Sequence, residues 1–104
     1  MDWSECLKNN IVKDISVDEK KIHSIKEVSR EKIRSSHYLP PDHKISKVTL
    51  LYDGLRELLE AKALEQGFKI YNHECYAAFF QEILGKSSEA KRFDEMRHIR
   101  NGIN

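Results

Sequence analysis

Apolar residues recur along this chain at the three- and four-residue spacing of amphipathic helices. The longest stripe consists of Ile45, Val48, Tyr52, Leu55, Leu59 and Ala63. An earlier stripe consists of Ile22, Ile25, Val28 and Ile33, and a bulkier later one of Tyr76, Phe79, Phe80, Ile83 and Leu84. Because this period belongs to helices that bury one face, the pattern predicts a helical chain.

Residues that break or cap helices divide the pattern. Pro40–Pro41 ends whatever precedes it, and Gly67 and Gly85 each follow an apolar stretch, where a glycine C-terminal cap belongs. Plausible N-caps are Ser16, which would form a capping box with Glu19, then Asn72, and Ser87 or Ser88. The predicted helices cover residues 2–10, 17–38, 43–66, 73–84 and 88–104. We therefore expect an all-α single domain over 1–104, an up-and-down antiparallel bundle of four to five helices.

Composition narrows the function classes. The 104 residues carry 18 basic and 17 acidic side chains, which is not the balance of a nucleic-acid-binding polycation. Cys6 and Cys75 are too few for a disulfide scaffold, and Cys75 is predicted to be a small buried apolar side chain. No CxxC or HxxxH spacing indicates zinc, so we expect neither metal nor cofactor. The longest apolar run, residues 75–80, is too short for a membrane span, and we predict a cytoplasmic protein.

One residue interrupts the apolar face of the last predicted helix. That face consists of Ala90, Phe93, Met96, Arg100 and Ile103. Because an unpaired buried guanidinium is very costly, Arg100 must be paired or line a cleft. With Arg97 and Asn104 it could present donors to a phosphate. Alternatively, its stem lies along the bundle and its charge pairs with an acid such as Glu57 or Glu60.

Three segments of the chain resemble the HEPN domain family. They are residues 51–61 (LYDGLRELLEA), 65–75 (EQGFKIYNHEC) and 93–103 (FDEMRHIRNGI). The resemblance is strongest to small members encoded beside a minimal nucleotidyltransferase. It implies a helical bundle that forms a homodimer and binds RNA, a nucleotide or that partner protein in a toxin–antitoxin-like system. Many members are metal-independent ribonucleases, with a motif of arginine, four to six residues, and histidine.

The resemblance assigns site residues by position. Arg100–Asn101 matches the start of the motif, but its histidine would fall at 105 or later, outside this sequence. His98 is then the nearest candidate for proton transfer, although it lies four residues after Asp94 and could simply pair with it. Arg97, Asn104 and Tyr52 are the candidate ligand-binding residues. Arg92 and His98 also have a motif-like separation, but they lie about 120° apart around a helix. His73 is predicted to serve helix capping.

The sequence is compatible with three functions. The first is a non-catalytic HEPN-like module that binds RNA, a nucleotide or a nucleotidyltransferase. The second is a ribonuclease in which Arg100 stabilises the phosphorane while a histidine transfers the proton. The third is a structural adaptor whose broad aromatic face, around Phe79 and Phe80, binds a partner.

Overall fold

The computed structural model describes residues 1–102, and helices dominate it. The helices are α1 (Trp3–Lys8), α2 (Glu19–Tyr38), α3 (Lys44–Glu65), α4 (His73–Ala78) and α5 (Ser87–Arg100), with a π-helical turn (Phe79–Ile83) directly after α4. Two short strands, β1 (Val12–Asp14) and β2 (Phe68–Ile70), lie between helices. The predicted all-α fold class is confirmed, and its helices are compatible with the predicted bundle. The strands were not predicted.

Helices α2 and α3 form an antiparallel hairpin around the Pro40–Pro41 turn. Leu39 ends α2 in extended backbone, as a residue before proline should. Lys26 pairs with Glu65 and Lys32 with Glu57, so residues late in α3 meet residues early in α2. The tight turn predicted at the two prolines is therefore confirmed.

A close approach between the two long helices is made by small residues. The buried Ser29 hydroxyl donates to the Gly54 carbonyl at 2.8 Å. A Cβ added to Gly54 would lie 2.8 Å from Ile33 Cγ1 and 3.1 Å from the Ser29 carbonyl oxygen. Because such distances are shorter than van der Waals contact, only glycine fits this helix crossing.

Two features tie the N-terminal segment to the rest of the chain. Strands β1 and β2 pair antiparallel, with Val12 opposite Ile70. Cys6 and Cys75 form a disulfide between α1 and α4, with their Cα atoms 5.9 Å apart. Cys75 is buried, as predicted, but its bond to Cys6 was not predicted, because tertiary contacts bring two cysteines 69 positions apart into bonding distance.

The main core lies between α1, α3, α4 and α5. Its largest buried side chains include Trp3, Tyr52, Tyr76, Phe79 and Phe93. Phe80 also packs into it, edge-on to the Phe93 ring with centroids 6.1 Å apart. The aromatic face that suggested a partner surface is thus mostly occupied by the chain's own core.

Several predicted apolar positions are exposed instead. Val28 and Ile83 are exposed, and Ile45 is 68% exposed. The buried positions of α2 are Ile22, which packs on Ala61 and Leu64 of α3, and the serines 29 and 36. The stripe therefore predicted the helix correctly but not every buried position on it.

Side-chain capping follows the sequence at one of three predicted sites. Asn72 Oδ1 accepts from the Cys75 amide at 2.9 Å, so its N-cap is confirmed. Asp18 rather than Ser16 caps α2, accepting from the Lys21 amide, because a carboxylate stands directly before the helix. Helix α5 starts at Ser87 itself without a side-chain cap.

Within residues 1–102, no helix is long and apolar enough to cross a membrane.

Candidate functional site

Three helices bring chemically active side chains together around the Tyr52 ring. Tyr52 lies on α3, His73 is the first residue of α4, and Phe93 lies on α5. The Phe93 ring stacks on Tyr52 with centroids 4.7 Å apart and an interplanar angle of 23°. Because Arg97 and Arg100 follow Phe93 by four and seven residues, they share its helix face and lie along the same side of α5.

The Tyr52 hydroxyl is the most deeply placed polar group of this cluster. The residue is 0% exposed, and its Oη lies 2.5 Å from His73 Nδ1. The Asn72 cap starts α4 at His73, which fixes the backbone from which the imidazole reaches Tyr52. The result is a hydrogen-bonded pair of a tyrosine and a histidine that lie 21 positions apart in the sequence, on two different helices.

Arg100 stands over the ring of this pair. Its Cζ lies 5.5 Å from the Tyr52 ring centroid, and its Nε donates to Asp53 Oδ1 at 3.1 Å. Its Nη1 contacts Asn101 Oδ1 at 3.4 Å. The side chain is 34% exposed, so its remaining N–H donors reach solvent while Asp53 holds the guanidinium in place.

Two further arginines border the cluster. Arg97 Nε donates to Asp94 Oδ1 at 3.3 Å on the same helix. Arg56 lies within 4 Å of Glu60 and over the Tyr76 ring, 6.0 Å from its centroid. Each arginine keeps donors beyond those used in these contacts, because a guanidinium carries five N–H groups.

The electrostatic surroundings shift both titratable members of the pair. Burial is the largest cause that lowers the pKa of His73, and the charges of Arg97, Arg56 and Arg100 lower it further. Burial likewise raises the pKa of Tyr52, although the same arginines oppose that shift. At neutral pH the pair is therefore an uncharged imidazole bonded to an uncharged phenol.

The sequence-predicted residues divide into two groups. Tyr52, Arg97 and Arg100 lie together, and Asn101 contacts Arg100 at the end of α5. His98 instead pairs with Asp94 at 3.4 Å and is 42% exposed, the alternative that its spacing suggested. Arg92 and His98 have a motif-like separation in the sequence, but no contact joins them among residues 1–102. Asn104 lies outside the described residues.

The structure corrects the predicted salt-bridge partner of Arg100. It also shows that His73, which the sequence did not indicate as a site residue, belongs to the cluster. Asp53, not Glu57 or Glu60, pairs with Arg100. Since Asp53 directly follows Tyr52, the salt bridge also places the guanidinium over that ring. His73 was treated as a capping residue because its sequence neighbours, Asn72 and Glu74, are typical of a helix start. Both Tyr52 and His73 lie in the family-like segments, which was the available signal.

The open space around the cluster differs from one side to the other. A cleft of about 800 Å³ is lined by Arg97 and by four acidic residues, Asp2, Glu74, Glu82 and Asp94. A separate apolar groove of about 680 Å³ lies where the ends of α2 and α5 meet the start of α3, and its lining includes Ile45, Leu51 and Ile99. Because anions are repelled by the acidic cleft, an anionic ligand is expected to approach from the Arg100 side.

Within residues 1–102, no group of three or more histidine, cysteine, aspartate or glutamate side chains is arranged to hold a metal ion. Comparison of the chain with family models, with curated proteins and with solved structures gives no match. The resemblance to HEPN domains therefore rests on the three sequence segments alone.

Proposed function

We propose that this chain is a HEPN-like helical module that binds the phosphate of RNA or of a nucleotide beside Tyr52. The observation that carries the proposal is the position of Arg100, held by Asp53 at 3.1 Å with its outer donors exposed. Arg97 and the His73 imidazole add donors around the same ring. Guanidinium groups fixed in this way are suited to phosphate oxygens, which they can bind with two parallel hydrogen bonds.

The test compares two arginines of α5. Arg100→Gln should weaken binding of a fluorescein-labelled single-stranded RNA about tenfold or more, because a charge-assisted hydrogen bond is lost. The plot of log affinity against log salt should also become less steep, since one fewer phosphate is neutralised. Arg92→Gln, at an exposed position of the same helix, is the matched control and should bind as the wild type does. Equal affinity of the two variants would contradict the proposal.

AMP added as competitor tells the two ligands apart. Displacement of the RNA at similar concentrations of phosphate groups supports a mononucleotide site. Persistence of RNA binding with AMP in excess supports a site that needs several nucleotides.

A metal-independent ribonuclease is the second candidate function. The observation in its favour is that a histidine, His73, lies near the arginines 56, 97 and 100. RNA cleavage requires a proton-transfer group near the phosphate, and His98 points instead to Asp94. Cleavage of total RNA in EDTA by the wild type but not by Arg100→Gln would support this function. The adaptor hypothesis has less support, because Phe79 is buried and Phe80 packs on Phe93.

The proposal includes a homodimer and a possible nucleotidyltransferase partner. The exposed Ile45 lines the apolar groove that also includes Leu51 and Ile99, and this favours contact with another protein surface. Sedimentation velocity of the wild type and of Ile45→Asp tests the homodimer, which the charged side chain should dissociate. Co-purification with a nucleotidyltransferase encoded beside the gene tests the partner.

A cytoplasmic location stays a prediction. The disulfide between Cys6 and Cys75 is uncommon in proteins of the reducing cytosol. Thiol alkylation in intact cells, followed by mass spectrometry, shows whether the two cysteines are oxidised where the protein works.

A further inference from the structure

The burial of the Tyr52 hydroxyl determines which group donates in its hydrogen bond with His73. Among residues 1–102, His73 Nδ1 is the hydrogen-bond partner of Tyr52 Oη. A phenol carries one proton, which needs an acceptor when the group is buried. Leaving such a donor unpaired costs about 1–3 kcal/mol.

Two arrangements of the proton are possible, and only one satisfies both groups. If Nδ1–H donated to Oη, the phenol hydrogen would have no acceptor. If Oη–H donates to Nδ1, the hydroxyl hydrogen and the ring nitrogen are both satisfied. Nδ1 therefore carries no hydrogen, and a neutral imidazole must then carry its one hydrogen on Nε2.

The second ring nitrogen faces outward. Nε2 of His73 has no hydrogen-bond partner among residues 1–102, and no buried side-chain nitrogen in that part of the chain lacks a partner. The half-buried imidazole thus presents Nε2 to solvent. The charged groups around it are Arg97 and Arg100 from α5, Arg56 and Asp53 from α3, and the neighbouring Glu74 of α4.

We propose that Tyr52 holds His73 as the neutral Nε2–H tautomer, and that this N–H donates to a phosphate oxygen bound beside the arginines. The inference rests on the proposed function and names a further ligand-binding residue of the same site. A nitrogen that already carries a hydrogen cannot accept another proton. His73 is then a hydrogen-bond donor to the phosphate ester and not the base that would activate a ribose 2′-hydroxyl.

The tautomer is tested directly by ¹⁵N NMR of the imidazole in the wild-type protein, without any ligand. At pH 7 we expect Nε2 to carry the hydrogen and Nδ1 to have the shift of an unprotonated ring nitrogen. Tyr52→Phe removes the donor and should lose this preference. A hydrogen on Nδ1 in the wild type, or an imidazolium at pH 7, would overturn the inference.

The role in binding is tested by substitutions that keep or remove a donor at the same place. His73→Ala should weaken binding of AMP or of the labelled RNA about tenfold. His73→Gln should restore most of that loss, since its amide nitrogen can occupy the position of Nε2. His23→Ala, at an exposed position of α2, is the matched control. Equal losses for His73→Ala and His73→Gln, with unchanged helical circular dichroism, would overturn the donor role.

Failure of the inference and failure of the proposed function give different results. If Arg100→Gln binds phosphate ligands as the wild type does, the proposed function fails whatever the tautomer is. If Arg100→Gln loses affinity but His73→Ala does not, the phosphate site stands and the contribution of His73 is excluded. AMP and RNA, tested in parallel, separate the two sources of the phosphate.

Discussion

Helix α3 shows two different ways of packing on its two faces. Toward α2 it presents Gly54 and Ala61, small residues that allow close approach, with ion pairs only at the margins. Toward α4 and α5 it presents Tyr52, whose hydroxyl is buried against an imidazole. A phenylalanine would fill the same volume without a polar group to satisfy. The first face is therefore explained by close packing together with one serine-to-backbone hydrogen bond, whereas the second carries a hydrogen bond between two side chains that packing does not require.

The difference separates the stability of the fold from the chemistry of the site. Buried polar groups that are fully paired specify one arrangement of their neighbours. Here the pairing fixes His73 relative to Tyr52, and Asp53 fixes Arg100 over the same ring. Substitutions on the α2 face should change stability alone, and substitutions on the other face should also change binding.

Removal of the disulfide should have the largest effect on stability. This bond joins α1 to α4, on the side of the molecule that holds Tyr52 and His73. Replacing Cys6 and Cys75 by serine releases a cross-link between residues 69 positions apart, which should lower the free energy of unfolding by about 4 kcal/mol. Urea unfolding followed by circular dichroism measures the loss. The wild type in dithiothreitol should behave in the same way. A midpoint that neither treatment moves would mean that the bond does not support the fold.

Gly54→Ala should have the next largest effect, on the α2 face. The new Cβ would lie 2.8 Å from Ile33 Cγ1, so the helices must separate, at a cost of about 1–3 kcal/mol. Ile33→Ala in the same chain removes the contacted atom. The double variant should therefore lose less stability than the sum of the two single variants, and simple additivity in urea unfolding would contradict the steric explanation.

Alkaline pH should lower the stability of the packing around the buried Tyr76 of α4. Burial raises the pKa of Tyr76 to about 12, so between pH 10 and 12 the unfolded chain has lost a proton that the folded chain keeps. Stability then falls as pH rises, by up to about 3 kcal/mol over that interval. Tyr76→Phe should reduce this slope, whereas Tyr38→Phe, at a position 88% exposed, should not. Equal slopes for the two variants would place the alkaline transition elsewhere.

Ser29→Ala should have the smallest of these effects. It removes the hydrogen bond to the Gly54 carbonyl without adding volume, which should cost about 1 kcal/mol. Unfolding in urea measures this change, and RNA affinity should stay at the wild-type value, because Ser29 faces away from Tyr52. A loss of RNA affinity would show that the two faces of α3 are coupled.

The sequence predicted the helices well because their signals are local. The Pro40–Pro41 turn and the Asn72 cap act within a few residues, and Gly67 takes the positive φ of +83° that a C-terminal glycine supplies. The strands were missed because three residues are too short for a recognisable alternation.

The site was only partly predictable because its geometry is tertiary. Arg97 and Arg100 could be recognised from their place on an apolar helix face. The choice of Asp53 as the partner of Arg100, the bond between Cys6 and Cys75, and the contact between Tyr52 and His73 join distant segments. No local pattern indicates which of several acids, or which histidine, another helix will bring near.

A phosphate site beside Tyr52 can be tested by titrating the ¹⁵N-labelled protein with AMP while its amide and arginine side-chain shifts are followed. We expect the largest changes at His73, Arg97 and Arg100, with the α2 face unaffected. Changes confined to α2, or the absence of changes at millimolar AMP together with unchanged RNA affinity of Arg100→Gln, would contradict a phosphate site on this face.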